Sequence, residues 1–192
     1  MDNTEIKTVI ITGRPGSGKG TQGKLLAEAR GWMHFSTGEQ FRMLREEESV
    51  LGHQVRAIYD TGKLLPDWFA THLFEKAILN LGQHGGIVCE GYPRSLTQSR
   101  TFDEIAAWLN RSYVVIDLEV SDEEVTRRML NRSTLEHRPD STTEEQIATR
   151  LVTYHEHTAP VLAYFKEKGM LQVVDGMGTP EEVEDAIQKI LA

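Results

Sequence analysis

Residues 9–20 read VIITGRPGSGKG, and this stretch contains the clearest indication of the fold class. The apolar run Val9–Ile11 predicts a buried strand, and four glycines and a proline follow it before the next helical pattern begins. Gly13, Gly18 and Lys19 satisfy the G-x-x-x-x-G-K spacing of a phosphate-binding loop. In such a loop the glycines let backbone N–H groups turn toward phosphate oxygens, and the lysine and the next helix add positive charge. The stretch therefore predicts a nucleotide phosphate site at the end of a strand.

Short apolar runs and helical patterns alternate along the chain, which is typical of a parallel sheet covered by helices. Strands are predicted over Thr8–Thr12, Trp32–Ser36, Gly86–Glu90, Tyr113–Val120 and Leu171–Asp175. A helix is predicted over Thr21–Arg30, and capping boxes that begin at Ser121 and Thr179 start two further helices. The predicted fold class is α/β, a three-layer P-loop fold with a central parallel five-stranded sheet and helices on both faces.

Composition limits the possible classes of function. The 192 residues fit a single domain, and a formal net charge of -8 argues against broad binding to nucleic acid or anionic membrane. The single cysteine, Cys89, excludes an internal disulfide and a cysteine-based zinc cluster. No segment approaches the ~20 apolar residues of a membrane span. We therefore expect a soluble, cytoplasmic, monomeric protein without zinc and without nucleic-acid or membrane partners.

Two segments do not fit a minimal alternation of strands and helices. Residues from about 36 to 65 indicate extra helices, with Leu51, Val55 and Ile58 predicted on one face. Residues from about 132 to 142 are mostly polar. Both are predicted to be insertions at the rim of the sheet, within one domain that spans residues 1–192.

Five stretches, in order, resemble the motifs of the adenylate kinase family of nucleoside monophosphate kinases. They are GRPGSGKGTQ at 13–22, FSTGEQFR at 35–42, GKLLPD at 62–67, EGYPRSLTQ at 90–98 and the segment 138–165. The resemblance covers nearly the whole chain. It implies reversible transfer of the terminal phosphoryl group of MgATP to AMP, giving two ADP. It also implies that residues 36–65 bind the nucleoside monophosphate and that residues 132–142 form a short lid.

The resemblance assigns site residues to both nucleotides. The implied ATP-binding residues are Gly16, Ser17, Gly18, Lys19, Gly20, Thr21, Arg128, Arg132 and Gly178. The implied AMP-binding residues are Thr37, Arg42, Lys63, Leu64, Leu65, Gly91, Tyr92, Pro93, Arg94, Gln98, Arg138 and Arg150. The implied catalytic residues are Lys19, Arg94, Arg132, Arg138, Asp140 and Arg150. Mg²⁺ is the implied cofactor, held by Glu90 through water molecules and by the Thr21 hydroxyl.

The residue types suit that chemistry. Phosphoryl transfer between two polyanions requires converging positive charge and exclusion of water, and guanidinium groups can grip a phosphate with two bonds. At the base, the Gln98 amide can donate to adenine N1 and accept from the 6-amino group, with Thr37 beside it. Family members that act on UMP or CMP tend to carry alanine and asparagine at these two positions, so AMP is the expected acceptor. Arg100, Arg111 and Arg127 are instead expected to be solvated surface charges.

The sequence departs from the family pattern at several positions. Glu90 and Ser141 stand where aspartate is usual, Ser133 stands where glycine is common, and Arg14 adds a charge inside the glycine loop. Two alternatives therefore stay open: a kinase for another monophosphate such as UMP or CMP, and a nucleotide-binding module with little turnover. Whether the acceptor is AMP or another monophosphate, a kinase of this family is expected to close the segments 36–65 and 132–142 over its substrates.

Overall fold

The computed structural model describes residues 5–82, 85–136 and 143–191, with the backbone alone described for residues 132–136. The predicted sheet is confirmed, and its five parallel strands lie in the order β2-β3-β1-β4-β5. The strands are β1 Thr8–Gly13, β2 Met33–Ser36, β3 Ile87–Glu90, β4 Tyr113–Glu119 and β5 Leu171–Asp175. Each begins and ends within one residue of its predicted bounds.

Helices fill the connections between the strands. They are α1 Lys19–Arg30, α2 Thr37–Arg45, α3 Val50–Tyr59, α4 Asp67–Leu79, α5 Leu96–Trp108, α6 Asp122–Glu136, α7 Glu144–Thr153, α8 Ala159–Glu167 and α9 Pro180–Ile190. A π-helical segment, Tyr154–Thr158, joins α7 to α8. Among the described residues, no helix combines the length and the apolar composition needed to cross a bilayer.

The sequence predicts capping boxes at the starts of α6 and α9. At α9 the predicted box is complete: the Thr179 hydroxyl accepts from the Glu182 N–H and the Glu182 carboxylate accepts from the Thr179 N–H. At α6 only half of the predicted box forms. The Ser121 hydroxyl accepts from the Glu124 N–H, while the Glu124 carboxylate pairs with arginines of its own helix. Ion pairing thus replaces the second capping bond there.

The central strand β1 is buried on both faces, as expected for a parallel sheet between two helical layers. Val9 and Ile11 pack with Leu26 of α1 and Ile187 of α9. Ile10 packs on the opposite face, in an apolar cluster rich in aromatic side chains contributed by α4, α5 and α8. Both faces of the central strand are therefore covered by packed side chains.

The strand register brings the functional motifs to one edge of the sheet. Ile11 lies opposite Glu90 across the β1–β3 pair, and Ser36 lies opposite Glu90 across the β2–β3 pair. The carboxyl ends of these three strands therefore meet beside the glycine loop. In open α/β sheets, ligands bind outside this edge.

The segment 36–65 folds as the helices α2 and α3 and a connecting loop, and it shares the core of the sheet. Phe41, Val55 and Leu65 are buried in the same apolar cluster as Ile10. The predicted apolar face of α3 is only partly correct, because Leu51 is exposed while Val55 is buried. The buried residues of α3 are Gly52, Val55 and Tyr59, so its buried face runs through Gly52 and leaves Leu51 outside it.

The prediction for Arg111 is wrong. Its guanidinium Nε donates to the Thr8 hydroxyl at 3.0 Å, and Nη2 donates to the carbonyls of Lys7 and Gly85 at 3.2 and 2.6 Å. A planar guanidinium with several N–H groups can reach acceptors on separate segments. Arg111, which precedes β4, therefore links the start of β1 to the residues before β3. Arg100 and Arg127 are exposed, as predicted.

Replacing Arg111 by alanine is expected to lower the free energy of unfolding by about 1–3 kcal/mol, because the partly buried acceptors lose their donor. Urea unfolding at 25 °C measures the change. The exposed Arg100→Ala is the matched control, with an expected change within about 0.5 kcal/mol. Equal stability of the two variants would contradict the structural role of Arg111.

Candidate active site

A cleft of about 240 Å³ opens at the carboxyl edge of the sheet. Fourteen residues predicted for nucleotide or metal binding line it: Gly16, Gly18, Lys19, Gly20, Thr21, Arg42, Lys63, Leu64, Leu65, Glu90, Gly91, Arg94, Gln98 and Arg150. The cleft thus brings the glycine loop together with cationic side chains from the segment 36–65, from the turn after β3 and from α7.

The glycine loop has the tight conformation that its sequence predicts. Gly13, Gly16 and Gly18 adopt positive φ angles of 139°, 84° and 95°. A Cβ on Gly13 would lie 2.8 Å from the Leu118 carbonyl oxygen, so no side chain fits there. The loop folds back so that the Lys19 ammonium donates to the Arg14 carbonyl at 3.1 Å. The lysine charge is therefore held at the mouth of the loop, beside the N-terminus of α1.

Arg14, the additional charge inside the glycine loop, forms its contacts with the start of α6 and the residue after β4. Its Nε lies 2.7 Å from a carboxylate oxygen of Asp122, and Nη1 donates to the Val120 carbonyl at 3.1 Å. These contacts tie the glycine loop to the start of α6. Nearby, burial and Glu119 raise the pKa of Asp117 above its usual range.

Glu90 supplies a partly buried negative charge to the cleft. Burial alone would raise the pKa of Glu90, but the Lys19 ammonium, a hydrogen bond from the Ser36 hydroxyl and the nearby Arg94 charge hold it below the usual value. The carboxylate is therefore ionised near neutral pH. Its negative charge partly offsets the positive charges of Lys19 and Arg94.

Gly91, directly after Glu90, shapes the turn that carries Arg94. Its carbonyl accepts from Arg94 Nε at 2.9 Å and from the Thr37 hydroxyl at 2.7 Å. At a φ of 80°, a Cβ on Gly91 would lie 2.5 Å from the Thr37 hydroxyl oxygen and 2.8 Å from Arg94 Nη2. The close approach of both side chains therefore requires glycine at this position.

Two further arginines reach the cleft from different elements. Arg42 of α2 donates from Nη1 to the Tyr59 hydroxyl at 3.2 Å. Arg150 of α7 packs against Gly62, where a Cβ would lie 3.1 Å from Arg150 Cγ. The contact between α7 and the segment 36–65 is what brings Arg150 beside the phosphate-binding loop.

The Gln98 side chain is buried, only 3% exposed, and its amide is held on both sides. Its oxygen accepts from the Arg94 backbone N–H at 2.7 Å, and its nitrogen donates to Asp67 Oδ1 at 2.8 Å. A primary amide has two N–H groups and two lone pairs. The hydrogen bonds to described residues use one of each, so a second N–H and a second lone pair are available on a side chain that lines the cleft.

Some of the predicted site residues do not line this cleft. Ser17 and Thr37 are buried beside it, and Tyr92 and Pro93 line an adjoining cavity of about 40 Å³. Arg128 instead donates to the Gly176 carbonyl at 3.0 Å and pairs with Glu124 at 2.6 Å. Gly178 is exposed beyond this end of the sheet.

The predicted lid falls mostly outside the described residues. Arg138, Asp140 and Ser141 lie outside them, as do the side chains of Arg132 and Ser133. The backbone of residues 132–136 continues α6. The roles expected for these residues stay predictions.

The sequence reasoning missed other residues that line the cleft, among them Lys24, Glu39 and Tyr59. Lys24 Nζ lies 2.6 Å from Glu39 Oε1, so this ion pair joins α1 to α2. The sequence contains a signal for two of these residues, because each lies three positions from a predicted site residue on the same helix: Lys24 follows Thr21, and Glu39 precedes Arg42. Side chains at this spacing lie on one face of a helix.

The oxygen donors of the cleft suit Mg²⁺. Among the described residues, no three His, Cys, Asp or Glu side chains come together to form a protein-only metal cage. The Glu90 carboxylate and the Thr21 hydroxyl both lie at the cleft. Mg²⁺ keeps several water molecules and uses one or two protein oxygens together with substrate phosphates, which fits this sparse set.

Comparisons with known proteins show the family of the chain. The family model for adenylate kinase matches residues 11–170. An adenylate kinase of Maricaulis maris is 38% identical over 186 residues, covering 95% of this chain and 97% of that protein. An adenylate kinase of Thermus thermophilus is 37% identical, covering 96% and 97%, and adenylate kinase 1 of a Synechocystis species is 36% identical with the same coverage. The chain belongs to the adenylate kinase family.

Proposed function

We propose that the cleft at the carboxyl edge of the sheet is where this adenylate kinase family member transfers the terminal phosphoryl group of MgATP reversibly to AMP, giving two ADP. The observation that carries the proposal is the convergence of Lys19, Arg42, Arg94 and Arg150 on one cleft in a chain whose net charge is -8. Converging cations are what two polyphosphate anions need in order to approach each other.

Each side chain of the cleft has a proposed role. The glycine loop and the N-terminus of α1 bind the ATP phosphates through backbone N–H groups, and Lys19 neutralises the transferring group. Arg42 and Arg94 bind the AMP phosphate, and Arg150 faces the transferring group. The family pattern adds Arg132, Arg138 and Asp140 from the lid. No proton need move through a protein side chain, because positioning and charge supply most of the catalysis.

Mg²⁺ would be held by Glu90 through water molecules and by the Thr21 hydroxyl. When bound, it neutralises and orients phosphate oxygens. The low pKa of Glu90 supports this role, because an ionised carboxylate is required to hold the hydrated ion. Asp and Glu differ by one methylene, so the longer Glu90 side chain shifts the water network without removing the charge.

Water must be kept from the transferring group, or the enzyme would hydrolyse ATP. We propose that the segments 36–65 and 132–142 close over AMP and ATP for this purpose. The ion pair between Lys24 and Glu39 and the packing of Arg150 on Gly62 support the first closure, because both join the segment 36–65 to helices that carry phosphate-binding residues. That the enzyme acts as a cytoplasmic monomer stays a prediction.

The acceptor base is proposed to be read by Gln98. The second N–H of its amide can donate to adenine N1, and the second lone pair of its oxygen can accept from the 6-amino group. Uracil presents the reverse pattern, a donor at N3 and an acceptor at O4. The buried amide would be left unpaired by a base that does not match it. This supports AMP over UMP as the acceptor. Cytosine presents the same acceptor and donor, at N3 and its 4-amino group, so the preference for AMP over CMP rests instead on Thr37 and Gln98, which stand where family members that act on CMP tend to carry alanine and asparagine.

Replacing Lys19 by methionine is expected to lower kcat for ADP formation at least about a thousandfold. The substitution removes the positive charge that faces the transferring group and keeps the length of the side chain. A coupled assay measures the rate, and circular dichroism verifies folding. The exposed Lys76→Met on α4 is the matched control and should keep the wild-type rate. Near-normal turnover in folded Lys19→Met would refute the proposed site, and no turnover in the wild-type protein would favour a binding module.

With MgATP as donor, kcat/KM for AMP is expected to exceed that for UMP or CMP by at least about tenfold to a hundredfold. Gln98→Ala should narrow this gap, mainly by weakening AMP. The exposed Gln54→Ala on α3 is the matched control and should leave the gap unchanged. UMP or CMP performing as well as AMP in the wild-type protein would contradict the assignment of the base while leaving the kinase assignment in place.

A further inference from the structure

Asp67 is part of the GKLLPD stretch, yet none of the roles described so far belongs to it. It is the first residue of α4, and both of its carboxylate oxygens accept hydrogen bonds. Oδ1 accepts from the Gln98 amide nitrogen at 2.8 Å, and Oδ2 accepts from the Ser95 hydroxyl at 2.7 Å. Ser95 in turn caps α5 by accepting from the Gln98 backbone N–H at 3.2 Å. Asp67 therefore contacts the side chain proposed to read the acceptor base.

The two neighbours of the Gln98 amide permit only one orientation. A carboxylate can only accept a hydrogen bond, and the Arg94 backbone N–H can only donate one. The amide nitrogen must therefore face Asp67, and the amide oxygen must face Arg94. A half-turn of the amide would set oxygen against oxygen and N–H against N–H. In a buried side chain, such unpaired contacts are strongly disfavoured.

This orientation decides which purine the amide can match. Adenine presents an acceptor at N1 and a donor at its 6-amino group. Hypoxanthine presents the reverse, a donor at N1 and an acceptor at O6. A fixed amide matches only one of these patterns, whereas an amide free to turn matches both.

We propose that Asp67 is a positioning residue that fixes the orientation of the Gln98 amide and so makes the site reject 6-oxopurine monophosphates such as IMP. The proposal rests on the proposed function, in which Gln98 reads the acceptor base. Asp67 itself touches neither the base nor the phosphates in this scheme. Its effect is on the choice between AMP and IMP.

A merely structural role for Asp67 would have a different signature. A negative charge at the first residue of α4 also stabilises that helix through the helix dipole. Loss of that stabilisation would lower the melting temperature, and would lower activity with AMP and IMP to the same extent. The ratio of kcat/KM for AMP to that for IMP is therefore the informative quantity.

The test measures this ratio, with MgATP as donor and chromatographic separation of the nucleotides, for the wild-type protein and for Asp67→Asn, Asp67→Ala and Gln98→Ala. Asparagine keeps the shape of Asp67 but can turn to donate to a flipped Gln98 oxygen, and alanine removes the acceptor. In both Asp67 variants the ratio is expected to fall at least about tenfold, partly through a gain with IMP. The exposed Glu104→Gln on α5 is the matched carboxyl-to-amide control and should keep the wild-type ratio.

The outcomes separate the two levels of the proposal. If Gln98→Ala lowers the ratio while both Asp67 variants keep it, the positioning role of Asp67 is overturned and base reading by Gln98 stands. If Gln98→Ala also keeps the ratio, base reading by Gln98 fails and the role of Asp67 fails with it. Equal losses with AMP and IMP in the Asp67 variants, together with a lower melting temperature, would likewise overturn the proposal in favour of a structural role.

Discussion

The partly buried carboxylate of Glu90 is the charge around which the cleft is assembled. It lies at the end of β3 and accepts from Ser36 at the end of β2, with Lys19 of α1 and Arg94 of the following turn close by. Burial opposes its charge, and the neighbouring cations overcome that opposition. Without this anion the cations would repel one another in a partly desolvated site. With it, a cluster of cations can be kept in place before any nucleotide arrives, and the arriving phosphates can take over as partners.

The two ends of the proposed acceptor site use different physics. At the phosphate end, charge dominates, and Arg42, Arg94 and Arg150 come from separate elements so that they can surround an anion. At the base end, the proposed selection depends on the orientation of one neutral amide, that of Gln98, which its neighbours Arg94 and Asp67 hold. Charge gives strength but little discrimination between bases, whereas a fixed pattern of donors and acceptors discriminates.

Local patterns explain what could be predicted from the sequence. The strands and the glycine loop were predicted because each is encoded within about ten neighbouring residues, as short apolar runs and glycine spacing. Arg111 was not predicted correctly, because its acceptors at Thr8 and Gly85 are distant in the sequence and no local pattern records them. The contact between Asp67 and Gln98 spans 31 residues and was missed for the same reason. Local sequence patterns therefore predict secondary-structure elements and motifs, whereas polar contacts between distant residues become visible only in the folded structure.

The most direct test of this role of Glu90 is the Mg²⁺ dependence of ADP formation in Glu90→Gln, compared with Glu90→Asp. Glutamine keeps the size of the side chain and removes its charge, whereas aspartate keeps the charge. If the Glu90 charge organises the cleft, Glu90→Gln is expected to lower kcat about a hundredfold or more and to raise the Mg²⁺ concentration needed for half-maximal rate, while Glu90→Asp retains most activity. A folded Glu90→Gln variant with the wild-type rate and the wild-type Mg²⁺ dependence would contradict it.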